Sequence, residues 1–230
     1  MDVLKLTQYL AANPPGKVVD FNKHTDKLYP FDFTAQGDLP AAEIIDDTNQ
    51  FSAWVADKLE INNCRYGIGG YQELRVIYAR SSLFNANEEP RRFHLGVDIW
   101  APAYTPVYCP LPATVHSFRY NDNYGDYGAT IILKHQLDDM VIHSLYGHLS
   151  LASLNGLEKN AFIPQGKHFA DFGDIAENGN WPPHLHFQLI VNMDGYDGDY
   201  PGVCRFSERE KYLENSPDPQ LFLANSFREM

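Results

Sequence analysis

His184-Leu185-His186-Phe187-Gln188-Leu189-Ile190-Val191 follows the breaker pair Pro182-Pro183. It is a short apolar run with β-branched and aromatic members, which predicts a buried strand. Residues i and i+2 of a strand share a face. His184 and His186 therefore stand side by side, with Leu185 and Phe187 turned the other way. Two neighbouring imidazoles on one face are costly unless something uses them. A metal ion is the obvious user, because neutral imidazole is the commonest protein ligand for zinc.

Working outward, the stretch from about residue 65 repeats this texture. Leu74–Tyr78, Thr105–Tyr108, Ala113–Val115 and Ala129–Leu133 are short strand-like runs separated by Gly, Pro, Asn and Asp. That spacing predicts a mainly β, mostly antiparallel body. Upstream, residues 2–12 have the apolar spacing of a short helix that Pro14 and Pro15 end. Residues 41–60 predict a second helix, which Asp46-Asp47-Thr48-Asn49 is able to break. Residues 207–226 predict one or two further short helices. The expected organisation is a partly helical segment at 1–64 packed on the body, a β-rich domain at 65–206 and a helical tail at 207–230.

Nine histidines are spread unevenly over the chain. Besides the His184/His186 pair, His94-Leu95-Gly96-Val97-Asp98 offers an imidazole and a carboxylate close in sequence. Gly96 lets the backbone bend so that the two converge. Leu145-Tyr146-Gly147-His148-Leu149 lies between the two patterns. A catalytic zinc needs three protein ligands and one open position. His94, Asp98 and one of the two strand histidines meet that count. The other strand histidine and His148 are then left to move protons or to stabilise an oxyanion. The helical zinc signature His-Glu-x-x-His is absent.

From His94 to Gln188 the chain resembles the lysostaphin/LytM-type zinc metalloendopeptidases. The features fall in order: His94-x-Gly96-x-Asp98, Thr105-Pro106-Val107-Tyr108, Tyr127-Gly128 with Ile131–His135, Tyr146-Gly147-His148-Leu149, and His184-Leu185-His186-Phe187. The resemblance implies a β-rich fold with a groove on an antiparallel sheet and zinc held by His94, Asp98 and His186. It implies catalytic, non-ligating roles for His148 and His184. Tyr146 and Trp181 are expected in the substrate groove. The implied activity is peptide-bond hydrolysis by zinc-activated water with a histidine general base, in peptidoglycan cross-links or a related short peptide. Two alternatives stand beside it: a non-catalytic peptidoglycan-binding or regulatory module, and an intracellular zinc hydrolase acting on another amide. The sequence departs from the family pattern at Tyr104, at Gln188 where many members carry Glu, and at Trp181-Pro182-Pro183. The last two sit beside the groove and bear on the cell-wall substrate.

Composition narrows the classes. A formal net charge of −12 disfavours a polyanion-binding surface, so no nucleic-acid partner is expected. Three cysteines, Cys64, Cys109 and Cys204, form no Cys-x-x-Cys pair and are expected as reduced thiols. No run approaches a membrane span. The first residues lack the basic and apolar regions of an export signal, so a cytoplasmic location is expected, with export by another route left open. His135 is expected to be structural, and His24, His116, His143 and His168 to be surface or satisfied strand residues. Met193–Asp199 misses the calcium-loop spacing and is expected to be a solvated turn.

Overall fold

The computed structural model describes residues 3–85, 89–223 and 227. Strands run in chain order as β1 (Leu28–Phe31), β2 (Tyr66–Gly69), β3 (Arg91–His94), β4 (Val97–Trp100), β5 (Pro106–Tyr108) and β6 (Ala113–Asn121). They continue as β7 (Gly128–Leu137), β8 (Met140–Leu149), β9 (Phe162–Ile163), β10 (His168–Asp171), β11 (His184–Ile190) and β12 (Val203–Arg205). One eight-stranded sheet has the order β1-β2-β4-β11-β8-β7-β6-β9, and two small ribbons pair β10 with β5 and β12 with β3. Only β1 and β2 run parallel; every other strand pairing among the described residues is antiparallel. The fold is mainly β, with short helices at both ends of the chain.

The alternation expected of residues 184–187 sorts the two faces of the sheet. Across β11 and β4, His184 pairs with Trp100, Leu185 with Ile99, His186 with Asp98 and Phe187 with Val97. Ile99, Leu185, Val97 and Phe187 enter the main apolar core with Ile131, Leu133 and Tyr146. Trp100 and the two histidines face the other way. β11 is buried along its whole length, so it lies between two packed layers rather than at the surface.

The N-terminal residues contribute to both layers. Helix α1 (Val3–Ala12) sends Leu6 and Leu10 into the main core, with Val18 and Val19 after it. Phe31, Phe33, Phe51, Val55 and Leu59 pack with Trp100 and Trp181 on the face that carries the histidines. The helix expected at 41–60 is two helices, α2 (Ala42–Asp46) and α3 (Thr48–Ile61). Asp47 makes the break: extended backbone lets its carboxylate accept from the Asn49 and Gln50 amides at 3.0 and 3.1 Å.

One expected strand is absent. Leu74–Tyr78 makes only an isolated bridge between Leu74 and Phe93, and Ile77–Arg80 forms a 3-10 turn. The segment bonds β3 only around Leu74, and the turn then buries Ile77 and Tyr78 by packing rather than by a ladder. The short helix α4 (Ser82–Asn85) follows it. The expected C-terminal helices are α5 (Arg209–Asn215) and α6 (Gln220–Leu223); residues 224–226 lie outside the described ones. All three cysteines are free, with Cys109 and Cys204 buried. No helix among the described residues is long and apolar enough to cross a membrane.

Candidate metal centre

Three elements carry the donors to one point. β11 presents His186, its neighbour β4 presents Asp98 in direct register, and the end of β3 delivers His94. His94 Nε2 lies 3.0 Å from His186 Nδ1 and 3.3 Å from Asp98 Oδ1, and His186 Nδ1 lies 3.0 Å from that same oxygen. The link between β3 and β4 passes close above His186. A Cβ on Gly96 would sit 2.6 Å from the His186 ring, so only glycine allows this approach.

Neighbouring groups fix which ring nitrogens carry protons. His94 Nδ1 donates to the Gly70 carbonyl at 2.9 Å, which leaves Nε2 bare. Gln188 commits its amide nitrogen to Pro201 O and Ser216 Oγ, at 3.2 and 3.0 Å. Its Oε1 therefore accepts from His186 Nε2 at 3.0 Å, and His186 Nδ1 is bare. Two lone pairs then face each other at 3.0 Å, beside a carboxylate oxygen. With both rings neutral no proton bridges them, and a cation at the centre relieves the repulsion. Zinc ligands at 2.0–2.2 Å in a tetrahedron stand roughly 3.3–3.6 Å apart, which the 3.3 Å separation meets and the two of 3.0 Å approach within a few tenths of an ångström. The donor set, two neutral imidazoles and one carboxylate, also fits a catalytic zinc site. It is the single group of three potential ligands found among the described residues.

The electrostatics agree with a neutral His94 and an ionised Asp98. Burial, with the Arg75 charge adding to it, pushes His94 down to about 4. Burial alone would raise the Asp98 carboxyl, but His94 and Arg75 hold it well below the usual carboxylate range.

Two further histidines flank the three donors. His148 Nδ1 donates to Asn178 O at 2.8 Å and His184 Nδ1 to Pro182 O at 2.7 Å, so both Nε2 atoms are bare. Their ring centroids are 4.1 Å apart, and His184 Nε2 lies 3.9 Å from Asp98 Oδ2. Burial lowers both, His184 to about 4 and His148 well below its ordinary value, with the neighbouring His184 adding to the shift. Each ring is therefore a neutral proton acceptor near pH 7.

Strict alternation would send His148 to the same face as Tyr146. It does not go there, because His148 adopts left-handed backbone at φ 61°. A register shift in the facing strand between Ala129 and Ile131 accompanies the turn. Tyr146 is thereby corrected: it is fully buried in the main core against Phe169 and Phe187 and lines no groove. Trp181 lines a cavity of about 250 Å³ together with Tyr78, Tyr127, His148, His186 and Asp199. Asn178 holds the Trp181 backbone at 3.0 Å through both its amide atoms. His94 is completely buried, and Asp98 and His184 line a separate cavity of about 20 Å³ with Arg75 and Trp100.

Most other histidines take the places expected of structural residues; His143, expected to be exposed or satisfied, is instead buried with its Nδ1 unpartnered. His135 is buried and bonds Ser144 Oγ at 2.7 Å, with Tyr146 Oη next in the chain. His24 and His168 are exposed, and His116 packs on His143. Sequence reading missed four site residues: Arg75, Tyr78, Tyr127 and Gly70. Gly70 acts through its backbone carbonyl, which leaves no sequence signal. Tyr127 stands in a quoted family feature but was given no site role, and Arg75 and Tyr78 lie in a run read only as a strand.

Residues 92–197 match the family model "Peptidase family M23". A zinc-containing peptidase from Vibrio cholerae is 26% identical, with 44% of this chain and 28% of that chain covered and a TM-score of 0.35. The catalytic domain of lysostaphin from Staphylococcus simulans is 22% identical, covering 53% of this chain and 80% of that one, TM-score 0.37. The catalytic domain of the prophage-encoded M23 protein EnpA from Enterococcus faecalis, as a point mutant, is 21% identical, covering 48% and 79%, TM-score 0.36. The chain thus spans little more than a quarter of the Vibrio cholerae peptidase. No curated protein matches the chain.

Proposed function

We propose that this chain, a lysostaphin/LytM-like member of peptidase family M23 over residues 92–197, is a zinc metalloendopeptidase whose ion is held by His94 Nε2, Asp98 Oδ1 and His186 Nδ1. The observation that carries this reading is the convergence of two bare ring nitrogens and a carboxylate oxygen within 3.0–3.3 Å of one another. Bound there, zinc supplies Lewis acidity toward a scissile carbonyl and toward water.

The chain's own residues do the rest. His148 and His184 each offer a bare Nε2 on the side of the donor set, and each is anchored at Nδ1 by a backbone carbonyl. One takes the proton of the attacking water and, as the imidazolium so formed, passes that proton to the leaving amine; the other ring stands beside it, centroids 4.1 Å apart. His148 lines the 250 Å³ cavity and is the more accessible base, so we assign it the first proton transfer. Trp181 and Tyr127 wall the cavity and exclude water from the reacting bond.

The proposed substrate is a peptidoglycan cross-link or a related short peptide. Residues 65–206 form the proposed peptidase domain, with 1–64 and 207–230 as attached segments. A cytoplasmic location belongs to the same proposal and favours soluble peptides over intact walls. Mass spectrometry of peptidoglycan and of short peptides, each incubated with zinc-loaded protein, tests this reading. New amino termini that vanish after chelation are expected. Zinc uptake with no cleavage of either substrate would instead favour a binding module.

A further inference from the structure

We propose that Arg75 is a positioning residue for the metal centre: it occupies Asp98 Oδ2, so that Oδ1 alone is presented to the ion. The proposal rests on the reading of His94, Asp98 and His186 as the metal set.

Arg75 reaches the site from the non-strand segment before the 3-10 turn, and its side chain has no exposure. Nη1 donates to Asp98 Oδ2 and, at 3.2 Å, to Tyr78 Oη. Nε donates to Glu73 Oε2 at 2.8 Å. The guanidinium lies within 5.7–5.9 Å of the Phe33, Tyr78 and Trp100 ring centroids. The backbone also makes room for it. A Cβ on Gly69, the residue opposite Asp98, would stand 2.9 Å from Nη2 and 2.6 Å from the Trp100 ring.

Burying a guanidinium is expensive unless its charge is used. Here Asp98 and Glu73 face it, and they keep it firmly protonated against the pull of burial. The two oxygens of Asp98 are therefore divided. Oδ1 stands with the bare nitrogens of His94 and His186, and Oδ2 is bonded to Arg75. A carboxylate held this way cannot swing to chelate through both oxygens. His184 Nε2 lies 3.9 Å from the same Oδ2, beyond hydrogen-bond reach.

The test compares the native chain with Arg75→Met and Arg75→Lys. Zinc dissociation constants are measured by chelator competition at fixed pH, and the visible absorption of the cobalt(II)-loaded proteins is recorded. Loss of an outer partner of a ligand is expected to weaken zinc by about 10–100-fold in Arg75→Met and to alter the cobalt band. Lys keeps one donor but loses the fork, so it recovers part of the affinity. Zinc affinity and a cobalt spectrum unchanged in a folded Arg75→Met protein overturn the proposal. If Arg75→Met does not fold, Arg75→Lys decides, and native affinity with a native spectrum overturns it. A native chain that takes up no zinc sinks the underlying reading; native uptake with an indifferent Arg75→Met sinks this inference alone.

Discussion

His186 shows how much of the centre depends on groups that never touch the ion. Its Nδ1 is bare only because Gln188 Oε1 accepts at Nε2, and Gln188 is oriented by Pro201 O and Ser216 Oγ. Gln188→Leu removes that acceptor and is expected to weaken zinc by about 10–100-fold while the protein stays folded, as read by chelator competition. His148→Ala should keep zinc at native stoichiometry and lower peptidase turnover by about 100–10,000-fold, the usual contribution of a positioned proton acceptor. The gathering of His94, Asp98, His186, His148 and His184 was legible from different signals: strand periodicity pairs His184 with His186, and motif order points to His94, Asp98 and His148. Tyr146 misled: left-handed backbone at His148 reverses the face between the two residues, and no local residue type announces that turn. Arg75 was illegible for a different reason. Its partner Asp98 is 23 positions away, and the pair meets only because β2, β4 and the 3-10 turn fold together.

At the scale of elements, strands with ladder partners on both sides were readable from their apolar runs, and β11 is the clearest case. Leu74–Tyr78 has the same composition but pairs with β3 only around Leu74 before turning away, which brings Arg75 and, from the 3-10 turn, Tyr78 to the site. The break at Asp47 follows from a side chain that caps α3 better than it extends α2. Asp47→Ala removes that cap and should lower the chemical-denaturation midpoint without changing zinc affinity. The β3–β4 link is far less tolerant. Gly96→Ala places a methyl 2.6 Å from the His186 ring. It is expected to lower zinc affinity more than it lowers stability, measured by chelator competition and denaturant unfolding on the same preparation. A stability loss with native zinc affinity would argue against the packing described for that link.

For the molecule as a whole, the two layers on either side of β11 bury a set of imidazoles that must stay neutral. Burial first of all pushes His94, His135, His143 and His184 down to about 4 from an ordinary value of 6.5. Protonation therefore favours the unfolded chain as pH falls. The stability these groups contribute is fully present above pH 6.5 and is lost progressively toward pH 4. Each adds a slope of up to about 1.4 kcal/mol per pH unit in that window. Denaturant midpoints of the zinc-free protein should fall steeply between those limits and change little at higher pH. Replacing His135 with a residue that cannot titrate should flatten the fall. The mainly β fold was legible in the spacing of its strands. The parallel β1–β2 pair and the aromatic layer of Phe31, Phe33 and Phe51 over the histidine face were not, because both depend on contacts between the N-terminal segment and the sheet.

Metal analysis of the purified protein after zinc loading and exhaustive dialysis bears on the centre most directly, with Asp98→Ala and His186→Ala as companions. One zinc per native chain and none on either folded variant is the expected result. Equal zinc on native and Asp98→Ala proteins, or no zinc on the native chain, would contradict a centre built from His94, Asp98 and His186.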